Sequence, residues 1–411
     1  MKVIILLLLL AITSPAMGEE GIWPQFRGPT GQGAYPALHP PISWSETNGV
    51  KWKTELPGQG WSSPVIHDHL AWMTTATEEG HSLRAIAVDI QNGKVVHNLE
   101  VFHLDNPEFK HDLNSYASPT PVATKDRVFV HFGTYGTAAI NPEGQIVWRN
   151  EELKLGHENG PGSSPIIYKD KLILTCDGTN VQFMAALNLS DGKLAWKRER
   201  SGFIDKAPPM KKAYATPLVV NVGGRDELIC PAAEYLYSYE PGTGKELWTL
   251  HYPGFSNVPR PVVEGNLMFV ATGFGKPEMW AIRLTKEMKG DVTSSAVAWK
   301  VLKQAPAKPS PVVYNGKVFM ISDNGIATCL DAETGAQNWQ ERLPGEYSAS
   351  LLLAGDQIYY FNHVGMTTVL KASDVFTPLS TNVLSEGVMA SPALVKNSIL
   401  LRTKTAIYRI E

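Results

Sequence analysis

Cysteine is scarce in this chain of 411 residues, which contains only Cys176, Cys230 and Cys329. The three lie far apart in the sequence, and no Cys-x-x-Cys motif or adjacent pair occurs. This number and spacing argue against a disulfide framework and against a cysteine-based zinc site. Each cysteine lies in a strand-like context, so we expect three buried, free thiols.

Long apolar segments are also lacking. Residues 3–12 form an apolar run that is shorter than the roughly 20 residues needed to span a bilayer, and no later run approaches that length. Lys2 before the run and the small residues of 13–18 after it complete the pattern of a secretory signal peptide. We expect cleavage after Gly18, giving an exported, soluble protein of the periplasm or extracellular space with no transmembrane segment.

The chain contains 37 basic and 40 acidic residues, so neither sign of charge dominates, and no run of like charge stands out. This balance argues against a nucleic-acid or anionic-membrane surface. Common catalytic motifs are missing too, because the sequence contains no Gly-x-Ser-x-Gly and no His-Glu-x-x-His. The glycine-rich stretch 28–33 has neither a strand before it nor a helix after it, so it lacks the context of a phosphate-binding loop.

What the chain does have is a repeat that begins with a small residue and Pro ahead of a short apolar strand. Ser350 holds the same place ahead of Leu351. The prolines of this phrase are Pro64, Pro121, Pro165, Pro217, Pro261, Pro311 and Pro392. The spacing averages about 47 residues, a period typical of four-stranded propeller blades.

About thirty residues after most of these prolines comes the second half of the phrase, an acidic or amide residue, then Gly, then Trp. Asp or Asn followed by Gly indicates a tight turn, and the Trp then starts an outer strand where its ring can cover the joint to the next blade. We therefore assign a structural role to Trp52, Trp148, Trp196, Trp248, Trp299, Trp339, Gly93, Gly144, Gly192, Gly244 and Gly335. Two blades are irregular, the fifth by an insertion at 285–298 and the seventh at 371–379.

The repeat predicts an all-β, eight-bladed propeller of four-stranded antiparallel blades. After Pro392 there is room for only three strands, whereas residues 48–53 are a turn-and-Trp fragment without preceding strands. We expect this N-terminal strand to complete the last blade and close the ring, because closure removes an open sheet edge. The predicted organisation is a signal peptide at 1–18, an N-terminal arm at 19–47 and one propeller domain at 48–411.

The Asp-x-x-x-Gly-x-x-x-Trp repeat with its leading Ser-Pro resembles the PQQ-like propeller repeat. Quinoprotein dehydrogenases and the BamB-like propeller subunit of the bacterial outer-membrane assembly machine share that repeat. The segments 23–31, 116–121, 132–136 and 290–293 are similar to a group of exported PQQ-like repeat proteins. The resemblance to quinoprotein dehydrogenases would imply adjacent cysteines beside the quinone, a calcium ion held by carboxylate and amide side chains, and long insertions between blades. This chain has neither adjacent cysteines nor long insertions, so we expect no cofactor, with PQQ or calcium as the alternative.

Candidate binding residues come from the loops that precede the innermost strand of each blade, here called the mouth loops. In a propeller these loops border the central channel on one face, and convergent polar groups at such a place often bind ligands. The candidates are Asn114, Tyr116, His157, Glu158, Tyr214, Arg260, Lys308 and Tyr347. The alternative interpretation is a plain solvated rim.

We expect no metal site. His103, Asp105, Glu108 and His111 lie at short spacing in the connection between the first two blades and are weak candidates for zinc or calcium. A solvated insertion accounts for them equally well.

The sequence therefore predicts a monomeric, exported, non-catalytic propeller that binds a protein, peptide or carbohydrate partner. One alternative is a PQQ- or metal-dependent oxidoreductase, or another enzyme, that uses the mouth-loop residues. A further alternative, implied by the resemblance, is a factor for outer-membrane protein assembly.

Overall fold

A computed structural model describes residues 23–202 and 204–411, and the predicted signal peptide at 1–18 lies outside the described residues. The described residues form eight sheets, each built on four antiparallel strands. In seven of them the strands follow chain order from the channel outward, and in the eighth the outermost strand comes from the N-terminal side. The eight-bladed all-β propeller predicted from the repeat is confirmed. The strands are short runs rich in β-branched and aromatic residues, bounded by Gly, Asn and Asp turns.

The strand bounds follow the repeat. Blade 1 contains Val65–His67, Leu70–Thr77, Ser82–Asp89 and Val95–His103. Blade 2 contains Val122–Ala123, Val128–His131, Thr137–Ile140 and Ile146–Asn150. Blade 3 contains Ile166–Tyr168, Lys171–Asp177, Gln182–Asn188 and Leu194–Glu199. Blade 4 contains Leu218–Val222, Arg225–Pro231, Tyr235–Tyr239 and Glu246–His251.

The second half of the ring has the same plan. Blade 5 contains Val262–Glu264, Leu267–Ala271, Met279–Arg283 and Val297–Val301. Blade 6 contains Val312–Tyr314, Lys317–Ile321, Ile326–Asp331 and Gln337–Arg342. Blade 7 contains Leu352–Ala354, Gln357–Phe361, Met366–Lys371 and Pro378–Val383. Blade 8 contains Ala393–Val395, Ser398–Arg402, Ala406–Ile410 and, from the N-terminal side, Val50–Glu55.

Three single turns of 3-10 helix lie in loops, at Glu78–Gly80, Gly133–Tyr135 and Pro208–Met210. No helix in the described part of the chain has the length and apolar character needed to cross a membrane.

The ring is closed by the N-terminal strand, as predicted. Val50–Glu55 pairs antiparallel with Ala406–Ile410, with Lys53 opposite Tyr408. Blade 8 therefore joins the two ends of the described chain, and the ring has no unpaired edge at this point.

Neighbouring blades meet where an outer-strand Trp lies against the turn glycine of the next blade. Trp148 contacts Gly192, and its Nε1 donates a hydrogen bond to the carbonyl oxygen of Leu189 at 3.0 Å. The same contact joins Trp52 to Gly93. It recurs for Trp196 with Gly244 and for Trp299 with Gly335, while His97 contacts Gly144.

Trp248 departs from this pattern because blade 5 carries the insertion in place of the regular turn. Its Nε1 donates instead to the buried carboxylate of Glu227 at 2.7 Å. The insertion contributes a short strand, Gly290–Asp291, which pairs in parallel with Glu246–His251 outside blade 4. Trp248 is thus enclosed by its own blade and the inserted strand.

The N-terminal arm runs inside the ring over residues 23–35 and reaches the outermost strand of blade 7 at Trp44 and Ser45. Its backbone carbonyls accept hydrogen bonds from the innermost strands: Trp23 from the N–H of Ile66 at 2.8 Å, and Gly33 from that of Leu353 at 2.8 Å. Ala34–Tyr35 pairs in parallel with Leu352–Ala354. The contacted residues lie toward the hairpin turns that follow the innermost strands, so the arm fills the channel at the end opposite the mouth loops.

Candidate functional site at the channel mouth

An open cavity of about 490 Å³ lies on the channel axis among the mouth loops. Residues from all eight blades line it, and Phe26 of the arm contributes to its base. Because the arm occupies the other end of the channel, the cavity is a cup that opens on the mouth face.

The base of the cup carries a ring of hydroxyl groups at the position just before each repeat proline. Ser63, Thr120, Ser164, Thr216, Ser310, Ser350 and Ser391 hold this position and line the cavity, and we call them the hydroxyl ring. Six of the eight junctions between neighbouring blades carry a hydrogen bond through this ring: for example, the N–H of Ser63 donates to Thr120 Oγ1 at 3.0 Å, and the N–H of Ser350 donates to Ser391 Oγ at 2.9 Å. Four further bonds of the same kind join the other members and Arg260.

Arg260 occupies the eighth position of this ring and points to the arm. Its side chain donates to the carbonyl oxygens of Phe26, at 2.8 Å, and Pro217, at 3.1 Å. Arg27 of the arm lies close to it and donates to the carbonyl oxygens of Gln32 and Pro311, both at 2.6 Å. Both arginines are 2% exposed. Burial lowers the pKa of Arg27 to about 9 and that of Arg260 to about 10, so both remain charged at neutral pH.

Two lysines lie higher in the cup, and each is paired with an acid. Lys212 binds the carboxylate of Glu158. Lys308 lies 3.4 Å from Asp323, whose Oδ1 also accepts the N–H groups of Ala307 and Lys308. The pairs neutralise each other, so the excess positive charge comes from the arginines at the base.

Part of the rim of the cup is apolar. Phe274 is 61% exposed and meets Phe255 edge to face, with ring centroids 5.8 Å apart. Leu113 is exposed on the opposite side of the ring, and Trp61 and Val258 complete the apolar lining. Exposed aromatic surface of this kind, around a cavity with polar groups, is typical of binding sites.

Three of the residues predicted from the mouth loops line the cavity: Asn114, Tyr214 and Lys308. Glu158 lies beside it through Lys212, and Arg260 lies beneath it. The other three predicted residues, Tyr116, His157 and Tyr347, lie elsewhere.

Tyr116 lines a neighbouring hollow with Phe109 and donates its hydroxyl to the carbonyl oxygen of Glu108 at 2.7 Å. Tyr347 is buried, and its hydroxyl donates to the carbonyl oxygen of Pro344.

His157 is a buried, neutral support for the mouth. Its Nε2 accepts the N–H of Thr134 at 2.8 Å, and its backbone oxygen accepts the hydroxyl of Tyr214 at 3.0 Å. Burial lowers the pKa of His157 to about 4. The nearby His131 is buried as well, and burial lowers its pKa to about 3.

Sequence reasoning missed the aromatic residues of the rim. Phe274 belongs to the loop between the second and third strands of blade 5, a set of loops that we did not consider as part of the mouth. A sequence signal was present, because a large aromatic residue between two glycines, Gly273 and Gly275, is out of place in a solvated turn. The hydroxyl ring was also readable as the Ser or Thr before each repeat proline.

No group of three or more His, Cys, Asp or Glu side chains within 23–202 and 204–411 is placed to hold a metal ion. Among the weak candidates, His103 lies 3.6 Å from Glu100, and His111 accepts the N–H of Leu113 through Nδ1. All three cysteines are free and buried.

A calcium-assisted quinone fits this cavity poorly. Asp323 is the one carboxylate among the described residues that line it, and its oxygens are engaged by Lys308 and backbone N–H groups. Calcium prefers six to eight oxygen ligands, with carboxylates prominent among them. We therefore derive no step through such a group.

Together the fold and the site define a PQQ-like β-propeller with a cup-shaped channel. The family described as outer membrane protein assembly factor BamB matches residues 42–151, 106–206 and 232–374. The match covers more than half of the chain, so the chain belongs to this family. A search of curated protein sequences found no significant match.

Solved structures share the fold at low sequence identity. BamB from Moraxella catarrhalis aligns with a TM-score of 0.60 and 11% identity over 88% of this chain and 99% of that one. Quinohemoprotein alcohol dehydrogenase from Comamonas testosteroni aligns with a TM-score of 0.63 and 10% identity over 95% of this chain and 80% of that one. The computationally designed Ika8 protein aligns with a TM-score of 0.60 and 11% identity over 87% and 98%. Likeness at this level concerns the fold alone.

Proposed function

We propose that this protein is a non-catalytic binding propeller that holds a segment of a partner protein in the cup at the channel mouth. The observation that carries the proposal is the exposed apolar rim, centred on Phe274 and Phe255, around an open cavity with a polar base. A protein segment can place an apolar side chain against the rim and its polar groups against the base.

The energetics favour binding at this face. An exposed phenylalanine leaves apolar surface in water, and covering it returns about 25 cal/mol for each Å² removed from water. Aromatic residues at the centre of a contact also tend to dominate binding energies. Phe255 and Phe274 already contact each other edge to face, which limits the side-chain entropy lost when a partner binds.

The family to which the chain belongs suggests the setting. Its description as an outer membrane protein assembly factor names a role in which a protein handles other proteins. We extend this role to the chain as part of the proposal: the partner is a protein of the outer-membrane assembly route, and the predicted export brings the two together.

The proposal is tested by site-specific photocrosslinking in cells. A photoreactive residue replaces Phe274 on the rim, and a matched control places it at Asn315, an exposed turn residue on the opposite face. We expect a discrete protein adduct from position 274 and none from position 315. An adduct pattern that is the same at both positions, or adducts from position 315 alone, would contradict the proposal.

A binding variant complements the crosslinking. Phe274→Ala should reduce partner capture at least about ten-fold, as is usual for a central aromatic contact, while the melting temperature stays unchanged because the side chain is mostly exposed. Binding that is unchanged in Phe274→Ala but carbohydrate-dependent would assign the cup to a glycan instead.

A further inference from the structure

The hydroxyl ring contains unused hydrogen-bond donors. Six of its hydroxyl oxygens, all but that of Ser63, accept a backbone N–H from the neighbouring blade. A hydroxyl group also has one O–H to donate. None of these six O–H groups donates to an acceptor among the described residues, although the side chains of the ring line the cavity.

Ser63 is the extreme case, because its hydroxyl makes no hydrogen bond of either kind to the described residues. Only its backbone N–H is engaged, by Thr120. The base of the cup therefore presents O–H donors from seven blades toward one axis. Hydrogen-bond acceptors for these donors have to come from whatever occupies the cavity.

Below the ring, positive charge is left without a counter-charge. Arg27 and Arg260 donate only to backbone carbonyl oxygens, and Nε and Nη1 of Arg27 are buried without a hydrogen-bond partner in the described part of the protein. The two guanidinium groups also lie near each other, and their repulsion raises the free-energy cost of burying both. A buried charge is expensive unless it is compensated. An anion bound at the hydroxyl ring would lower this cost through its attraction to the two guanidinium groups.

We propose that the base of the cup binds a carboxylate group of the partner. This inference rests on the proposed function and adds the chemistry of the bound segment: an acidic side chain or chain terminus inserted at the hydroxyl ring, with an adjacent apolar group against the rim. A carboxylate offers about four lone-pair sites to a ring of neutral O–H donors. A phosphate would instead favour direct, bidentate contact with a guanidinium, and neither Arg27 nor Arg260 is among the described residues that line the cavity.

The test uses two small probes of the same shape, phenylacetate and phenylacetamide, titrated against the mature protein and followed by saturation-transfer NMR. Both carry an aromatic ring for the rim, and only the first carries a charge. We expect phenylacetate to bind at least about ten-fold more tightly, since hydrogen bonds to a charged group are the stronger ones.

Ser63→Ala is the matching variant, because it removes one O–H donor from the ring without breaking an internal hydrogen bond of that hydroxyl. It should weaken phenylacetate binding several-fold and leave phenylacetamide unchanged. Ser190→Ala, at an exposed serine near the third-blade turn, should change neither.

Equal affinity for the two probes, or no binding of either, would overturn the carboxylate site. So would displacement of phenylacetate by inorganic phosphate but not by acetate. If both probes bind equally and Phe274→Ala abolishes their binding, the rim still functions as proposed and only the carboxylate inference fails. If phenylacetate is preferred but no adduct forms from position 274 in cells, the carboxylate site stands and the partner-binding proposal fails.

Discussion

Gly192 lies against the indole ring of Trp148, so close that a Cβ atom on Gly192 would be 2.5 Å from Cε3 of the ring. The glycine also has a φ of +71°, in the left-handed region where residues with a side chain are strained. The Gly and the Trp of the repeated phrase therefore serve one contact between successive blades. The glycine turn of one blade packs against the outer-strand Trp of the preceding blade.

Gly192→Ala should destabilise the protein by about 3 kcal/mol, of which 1–2 kcal/mol comes from the backbone conformation and the remainder from overpacking against Trp148. Gly316→Ala is the matched control, since Gly316 has a φ of +70° and nothing within 4 Å of the added Cβ. Gly316→Ala should lower the free energy of unfolding only by the roughly 1–2 kcal/mol that comes from the backbone conformation. Urea unfolding of both variants measures the difference, and equal losses of stability would show that the Trp contact tolerates a methyl group.

The architecture was predictable because most blades carry the turn glycine and the Trp at the same positions in the sequence. A turn that needs a left-handed residue selects Gly, and a joint that needs a wide apolar surface selects Trp, so both recur wherever the geometry recurs. The path of the arm was not predictable in this way. Its carbonyls pair with the inner strands through backbone groups, which every residue has and which leave no mark on side-chain choice.

Arg260→Ala should loosen the arm. The substitution removes the hydrogen bonds to Phe26 and Pro217 and leaves space at Gly31, which contacts the guanidinium group. We expect a lower melting temperature and faster proteolytic cleavage within the arm. Arg198→Ala, at an exposed arginine, is the control and should change neither. A variant that keeps the native melting temperature and protease resistance would show that the arm is held without Arg260.

Only part of the candidate site could be predicted from the sequence, because the repeat places the loops but not the direction of their side chains. Residues such as Tyr214 and Lys308 reach the cavity because they follow the repeat, whose position around the axis is known. His157 and Tyr347 occupy equivalent loops, yet they point into the protein, where they bond to backbone groups. Side-chain direction in a loop depends on its individual backbone path, and the period does not specify that path.

Acid should destabilise the protein through His131 and His157. Burial lowers the pKa of both below the ordinary value of 6.5, to about 3 and about 4. The unfolded chain then binds protons that the folded chain does not, so their contribution is complete above pH 6.5 and is lost progressively as the pH falls toward 4. Each histidine contributes a slope of about 1.4 kcal/mol per pH unit in this window.

His157→Gln removes one of these groups and keeps an acceptor for the N–H of Thr134. Between pH 7.5 and 5 the variant should lose about 2 kcal/mol less stability than the wild type, as measured by urea unfolding at the two pH values. His103→Gln, at an exposed histidine, should behave like the wild type. An identical pH dependence for His157→Gln and the wild type would mean that His157 becomes protonated in the folded protein.

The three cysteines should be chemically silent in the folded protein. Cys176, Cys230 and Cys329 are free and buried in strands of three different blades. Burial raises the pKa of Cys230 to about 12 and that of Cys329 to about 11, and raises that of Cys176 as well, so the reactive thiolate is scarcely populated at neutral pH. An aromatic disulfide reagent should label none of them in the native protein and all three after denaturation without reductant. A count of one thiol after denaturation would reveal a disulfide, and rapid labelling of the native protein would show that a blade opens on the time scale of the assay.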